Sequence, residues 1–316
     1  MLDDIVEGNY GKAWCFLNIA DPFVAWETYR GEIISSDYYH DGKSIISPRT
    51  VSVLRNLISE ESSLKIVATN ELLLESVRQN YFSNKVSRLT GAFLFANKTD
   101  AERAILMWGN TVSHFNSFAL TEVNPSLNTY FSKLDSNWIT FNLGKVSTDL
   151  SWMHHYWSGE ACPESREPLW EIIASSRFYI CNKELQMQAY KNIRESFYTF
   201  FSRKTLPLLE DARLAAYLGS DLGHSAPYLI HIDKNTLGVR YIISMVDANN
   251  PKYLERLSAY LQEPRNAQHI NYQDLNIIRE EGSFAVPDLR SLEFNFKLPD
   301  TVLNSNFKAG DFAHSS

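Results

Sequence analysis

Cysteine is scarce in this chain of 316 residues. There are three, Cys15, Cys162 and Cys181, an odd number at spacings that fit neither a zinc site nor a disulfide framework. A reducing compartment is therefore expected, with the cytoplasm as the location. Long apolar runs are missing too. None approaches the roughly eighteen residues that a spanning helix needs, and the opening MLDDIVEGNYGK has acids and glycines where a cleaved signal needs a basic and then an apolar stretch. No membrane partner is expected. Positive charge is not in excess, with 30 Lys+Arg against 37 Asp+Glu and a net charge of −7, which disfavours a broad phosphate-binding surface while leaving room for a local basic groove. The chain also has no Walker loop, no GxGxxG behind a strand, no HExxH and no GxSxG, so P-loop hydrolases, Rossmann dehydrogenases, zinc peptidases and α/β-hydrolases lose support. His154 and His155 are adjacent, and neighbours on a helix diverge by about 100°, so they do not form a metal pair and no metal is expected.

What is present is a sequence that is 44% hydrophobic and 13% aromatic, ample for a packed core without staples. AWCFLNI (13–19), GEIIS (31–35) and GAFLFA (91–96) read as strands, and residues 48–80 as helical, with Asn70 capping one helix. Thr99 to Glu102 has capping-box spacing for a helix through Ala104, Met107 and Trp108. WITFNL (138–143) alternates as a strand, SWMHHYW (151–157) reads as a helix, and LWEIIA (169–174) and RFYICN (177–182) as strands. A helix over 183–204, a hairpin over 227–246 turning at 233–236, and a helix over 251–263 with Pro251 at its first position follow, and the tail KAGDFAHSS is expected to fray. The order indicates an α+β fold, with a boundary near residue 185 separating residues 1–185 from a smaller α+β extension over 186–316.

Three segments in fixed order carry a resemblance: LLLESVRQNYFSNKVSRLTGAFLFANKTDAERA (72–104), HHYWSG (154–159) and EPLWEIIASSRFYI (167–180). Together they resemble a bacterial ADP-ribosyltransferase-like toxin family, over roughly residues 13–182. The resemblance implies a split β-sandwich with helices, NAD+ as substrate, and residues 1–185 as the NAD+-binding domain. One branch of such proteins, the toxins of phage-defence toxin–antitoxin–chaperone systems, modifies RNA, so an antitoxin partner is also implied. The Ser-Arg pair that opens a strand is here Ser87-Arg88, the Tyr-Trp pair is Tyr156-Trp157, and the glutamate on a strand is Glu171.

These residue types suit the chemistry on physical grounds. Breaking the nicotinamide–ribose bond builds positive charge on the ribose, as in glycosidase transition states. A carboxylate beside the ribose stabilises that charge and orients the incoming nucleophile, the role expected of Glu171. Without the resemblance, Glu171 would read as an ordinary solvent-facing strand residue. Ser87 is expected to hold the glutamate or the ribose, Arg88 to pair with the pyrophosphate, and Tyr156 and Trp157 to wall the nicotinamide or a target base; surface arginine and core packing are the bland alternatives. The chain departs from the family on its first strand, where AWCFLNI offers only Cys15 and Asn18 in place of an arginine or histidine. Arg30, within a Tyr-Arg-Gly stretch whose spacing suits a loop, is the substitute candidate for NAD+.

The expected activity is mono-ADP-ribosyl transfer to a macromolecule, with RNA slightly favoured over protein because helix 183–204 carries Lys191, Arg194, Arg203 and Lys204 on its polar face. NAD+ glycohydrolase activity and a non-catalytic binding module are the alternatives.

Overall fold

Alternating burial along Ala13–Phe16 makes the first strand, β1. The computed structural model describes residues 11–38, 46–110, 112–127, 129–147, 149–197, 206–233, 236–245, 247–262 and 294–297. Helix α1 (Pro22–Arg30) starts where the Asp21 carboxylate accepts the amides of Phe23 and Val24, with proline at its first position, and stops at Gly31, whose φ of 95° is the left-handed conformation that glycine adopts freely. Strand β2 (Glu32–Ile34) follows, then α2 (Pro48–Ile58), capped by Ser47, and α3 (Ser62–Tyr81). Asn70 does not cap a helix: it lies inside α3, and its side-chain amide donates to the carbonyls of Leu143 and Lys145 at 2.7 and 2.9 Å.

After β3 (Ala92–Leu94), helix α4 (Lys98–Trp108) is capped by Asn97, whose side-chain oxygen accepts the Asp100 amide at 2.8 Å. The expected capping box at Thr99 and Glu102 is thus displaced to Asn97. Strands β4 (Leu120–Pro125) and β5 (Tyr130–Asp135) follow. WITFNL is a helix, α5 (Asn137–Asn142), and not the expected strand. The buried Asp135 carboxylate explains the turn, because it accepts the amides of Asn137, Cys162 and Leu169 at 2.8–3.0 Å and so ends β5 abruptly. Helix α6 (Ser151–Ser158) and strands β6 (Trp170–Ser175) and β7 (Arg177–Ile180) match their expected places.

Helix α7 runs Lys183–Glu195, shorter than the expected 183–204; residues 198–205, with Arg203 and Lys204, lie outside the described residues, as does the tail KAGDFAHSS. Helix α8 (Leu206–Tyr217), strands β8 (Ser225–Asp233) and β9 (Thr236–Ile243), helix α9 (Pro251–Gln262) and strand β10 (Phe294–Lys297) complete the described elements. The expected hairpin is β8–β9, antiparallel across its length.

The protein is a mixed α+β structure of antiparallel sheets. One sheet has the order β1-β4-β7-β2, a second β3-β6-β5 and a third β10-β9-β8. Among the described residues the first two are joined by one isolated bridge, in which Trp14 and Phe95 exchange backbone hydrogen bonds at 2.8 and 2.7 Å. One hydrophobic cluster runs from Ala13, Trp26 and Phe178 through Leu185, Ala189 and Ile193 to Leu209, Ala212 and Val239. The packing is therefore continuous across residue 185. A second cluster gathers Leu74, Leu134, Met153, Tyr156, Trp157 and Ile173 between α3, α6 and the β3-β6-β5 sheet. Among the described residues no helix is long and apolar enough to cross a membrane.

Candidate active site

Strand β6 places Glu171 by its pleat. Glu171 and Ile173 turn to the buried side, while Trp170 and Ile172 take the other face, where the Lys133 ammonium lies 4.8 Å from the Trp170 ring. Glu171 is only 5% exposed, so the solvent-facing alternative does not hold. A carboxylate at such a position needs charged partners. They come from the turn between α3 and β3 and from α6.

That turn is set by Gly91. A methyl group there would meet Ile173 Cγ2 at 2.6 Å, Val86 Cγ1 at 2.8 Å and the Ser87 carbonyl oxygen at 2.9 Å, so the chain lies directly on β6. The Gly91 amide donates to the Ser87 carbonyl at 2.8 Å, and the Val86 amide to Ser132 Oγ at 2.8 Å. Ser87 and Arg88 are thereby presented from a fixed backbone.

Arg88 is buried, and each nitrogen of its guanidinium is engaged. Nε and Nη2 donate to the two oxygens of Glu71 at 3.2 Å each, while Nη1 donates to Glu171 Oε1 at 2.8 Å and to the Tyr156 hydroxyl at 2.7 Å. The group lies 4.9 Å from the Phe93 ring centre. Tyr156 completes a triangle by donating its hydroxyl proton to Glu171 Oε1 at 2.8 Å. Oε1 of Glu171 thus accepts two hydrogen bonds, and Oε2 accepts none among the described residues.

The electrostatics follow from burial and charge. Burial penalises the Glu71 carboxylate, but the Arg88 and Arg49 charges overcome it and hold its pKa down at about 2. Burial likewise opposes the Arg88 charge, yet Glu71, Tyr156 and Glu171 together keep it protonated well above the ordinary range. Burial pushes the Tyr156 phenol well above its usual value, against the pull of Arg88 and with the help of Glu171, so it is a neutral proton donor at physiological pH.

The other expected residues are placed differently. Ser87 Oγ donates to Glu75 Oε2 at 2.7 Å and not to Glu171; Glu75 is held in turn by Arg78, whose Nε lies 3.0 Å from both of its oxygens. Trp157 is fully buried, its indole N–H donating to the Leu74 carbonyl at 2.8 Å, and Tyr156 is fully buried against it, edge to face at 4.9 Å. Both rings are core, and neither offers an open face to a ligand. Arg30 is the last residue of α1 and not part of a loop. Its side chain is fully buried, ion-paired to Glu27 and Glu32 at 3.1 Å each and bonded to the Ser220 carbonyl at 3.0 Å. It belongs to a separate group with Arg177, Asp221 and His224, because the end of α1 and the start of β2 bring acids around it. On β1, Cys15 is buried, and burial pushes its thiol up to about 12. His154 packs on Tyr81 and Phe82, while His155 stacks on Trp138 at 5.4 Å and pairs with Glu160, two different surroundings as helix geometry requires.

Sequence reasoning missed Glu71, Glu75 and Arg49. Glu71 and Glu75 stand four residues apart on one face of α3, a like-charge spacing that weakens a helix unless each acid has its own cation. That spacing was the available signal. No protein-family model matches this chain, and no curated protein is significantly similar to it.

Proposed function

We propose that this protein is a mono-ADP-ribosyltransferase that takes NAD+ as substrate, with Glu171 as its catalytic carboxylate, built on an ADP-ribosyltransferase-like split β-sandwich. The observation that carries this reading is the convergence of Arg88, Tyr156 and Glu171, from the three segments that bear the resemblance, on one buried carboxylate oxygen. The two antiparallel sheets joined at Trp14–Phe95 are compatible with the sandwich.

In this reading the bond between ribose C1′ and nicotinamide breaks with its electron pair leaving on the nicotinamide nitrogen. Positive charge develops on the ribose. Arg88 and Tyr156 hold Glu171 by Oε1, and Oε2 accepts a hydrogen bond from a ribose hydroxyl or from the attacking nucleophile. The nucleophile bonds to C1′ and passes its proton to Glu171 Oε2, which returns it to solvent after the product leaves. A carboxylate fixed in advance contributes more than a mobile one, since no reorganisation accompanies the reaction.

The acceptor is a macromolecule, RNA in preference to protein, and the physiological role is that of a toxin or defence effector, countered by an antitoxin. Helix α7 supports an RNA-facing surface: Leu185, Ala189 and Ile193 are buried while Lys183, Lys191 and Arg194 are exposed, although Glu184 and Glu195 are exposed beside them. A second reading, a non-catalytic binding module of the same fold, is favoured by β1 and the residues just after it, where Cys15 is buried and Asn18 uses its side-chain oxygen on the Ala20 amide, with no arginine or histidine for NAD+.

The test is incubation with labelled NAD+ and lysate, followed by separate nuclease and protease digestion. Label released by nuclease identifies RNA, label released by protease identifies protein, and free ADP-ribose formed without lysate identifies the glycohydrolase. Absence of NAD+ binding by calorimetry, with the protein folded, selects the binding module.

A further inference from the structure

Arg88 was the side chain expected to meet the pyrophosphate, but its engagements leave it poorly suited. Its side chain is 6% accessible, and each of its nitrogens already has a partner in Glu71, Glu171 or Tyr156. Arg49, in the first turn of α2, lies against the same groups in a different condition. Its guanidinium pairs with Glu71 Oε1 through Nη2 alone and lies 6.0 Å from the Phe93 ring on which Arg88 also rests. Its Nε is buried without a partner, and its side chain is 37% accessible.

We propose that Arg49 is the anion-binding residue of this site and takes the diphosphate of a nucleotide ligand; the nucleotide's identity as NAD+ rests on the function proposed above. The guanidinium presents two donors in a plane that match two phosphate oxygens, and Arg49 has unengaged N–H groups to offer. Moving Arg49 onto a ligand does not strand its partner. Glu71 keeps both oxygens on Arg88, at 3.2 Å each, so the buried carboxylate stays neutralised. His114 supplies a reporter: it is half-buried, and burial and then the Arg49 charge lower its pKa, so an anion on Arg49 raises it again.

The experiment titrates the full chain with inorganic diphosphate and with ADP-ribose by calorimetry, while the His114 ring is followed by NMR across pH. Both probes are expected to bind the wild type, and Arg49→Gln to weaken each by about tenfold or more. Arg49→Lys, which keeps the charge and the Glu71 pair but lacks the fork, is expected to retain part of the affinity. The His114 pKa is expected to rise with diphosphate in the wild type and to stay put in Arg49→Gln. Melting curves of both variants establish that they are folded, and the lysine variant carries the comparison where the glutamine variant is not. Binding of both probes by a folded Arg49 variant at wild-type strength overturns the proposal, as does failure of either probe to bind the wild type. Loss of diphosphate binding in Arg49→Gln beside a wild type that does not cleave NAD+ leaves the anion site standing and removes the transferase. NAD+ cleavage with an unchanged KM in Arg49→Gln does the reverse.

Discussion

Arg88 and Glu171, 83 residues apart in sequence, meet at 2.8 Å through Nη1 and Oε1, and Glu71 grips the opposite edge of the same guanidinium. A cation between two buried carboxylates is a structural necessity before it is a catalytic device. The predictions below separate the two roles.

Replacing Glu171 by Gln keeps shape and leaves Arg88 paired to Glu71. We expect the variant to fold with a modestly lower melting temperature and to lose NAD+ turnover by about a hundredfold or more through kcat, with KM little changed. Wild-type turnover in a folded Glu171→Gln protein removes Glu171 from the chemistry.

Arg88→Leu leaves the buried Glu171 without a cation and Glu71 with Arg49 alone. Denaturant unfolding is expected to show a loss of about 3–5 kcal/mol. Adding Glu171→Leu is expected to recover part of that loss, because the second charge leaves with its partner, and strict additivity would count against direct coupling.

Acid is expected to weaken the fold through Glu71. Its pKa is about 2 in the folded protein against an ordinary value of 4.5, so its contribution is fully present above about pH 4.5 and is lost as pH falls towards 2. The size is on the order of 3 kcal/mol. In Glu71→Gln, unfolding curves recorded at falling pH should be flatter across that window than those of the wild type.

Gly91→Ala places a methyl group within 2.6 Å of Ile173. A cost of about 1–3 kcal/mol is expected from overpacking, with reduced turnover because the Ser87–Arg88 turn must lift from β6. Thermal denaturation and NAD+ cleavage by the same preparation check both.

Much of the fold was legible where periodicity is local. The strand over LWEIIA, the helix α6 and the β8–β9 hairpin lie where short-range patterns put them, although the same pattern turned Glu171 to solvent and the structure buries it. WITFNL was misread because Asp135, through contacts to Cys162 and Leu169 some 27 and 34 residues on, bends the chain into α5. The same holds at the site. The order of Ser87-Arg88, Tyr156-Trp157 and Glu171 pointed to one cluster, but which side chains meet depended on distant partners: Arg88, Tyr156 and Glu171 converge, Ser87 turns to Glu75, Trp157 to the α3 backbone, and Arg30 to the acids of its own helix and of β2. Arg30 looked available because a Tyr-Arg-Gly string does not reveal Glu27 one helical turn before it.

The continuous apolar cluster through Leu185, Ala189 and Ile193 bears on how such a chain diversifies. A segment packed only on itself could be exchanged freely, but one whose helix forms a wall of the shared interior can change only on its outward side. Substitution along α7 is then confined to exposed positions such as Lys183, Lys191 and Arg194, while the inward residues of the same helix stay tied to α1 and the cluster they share with it.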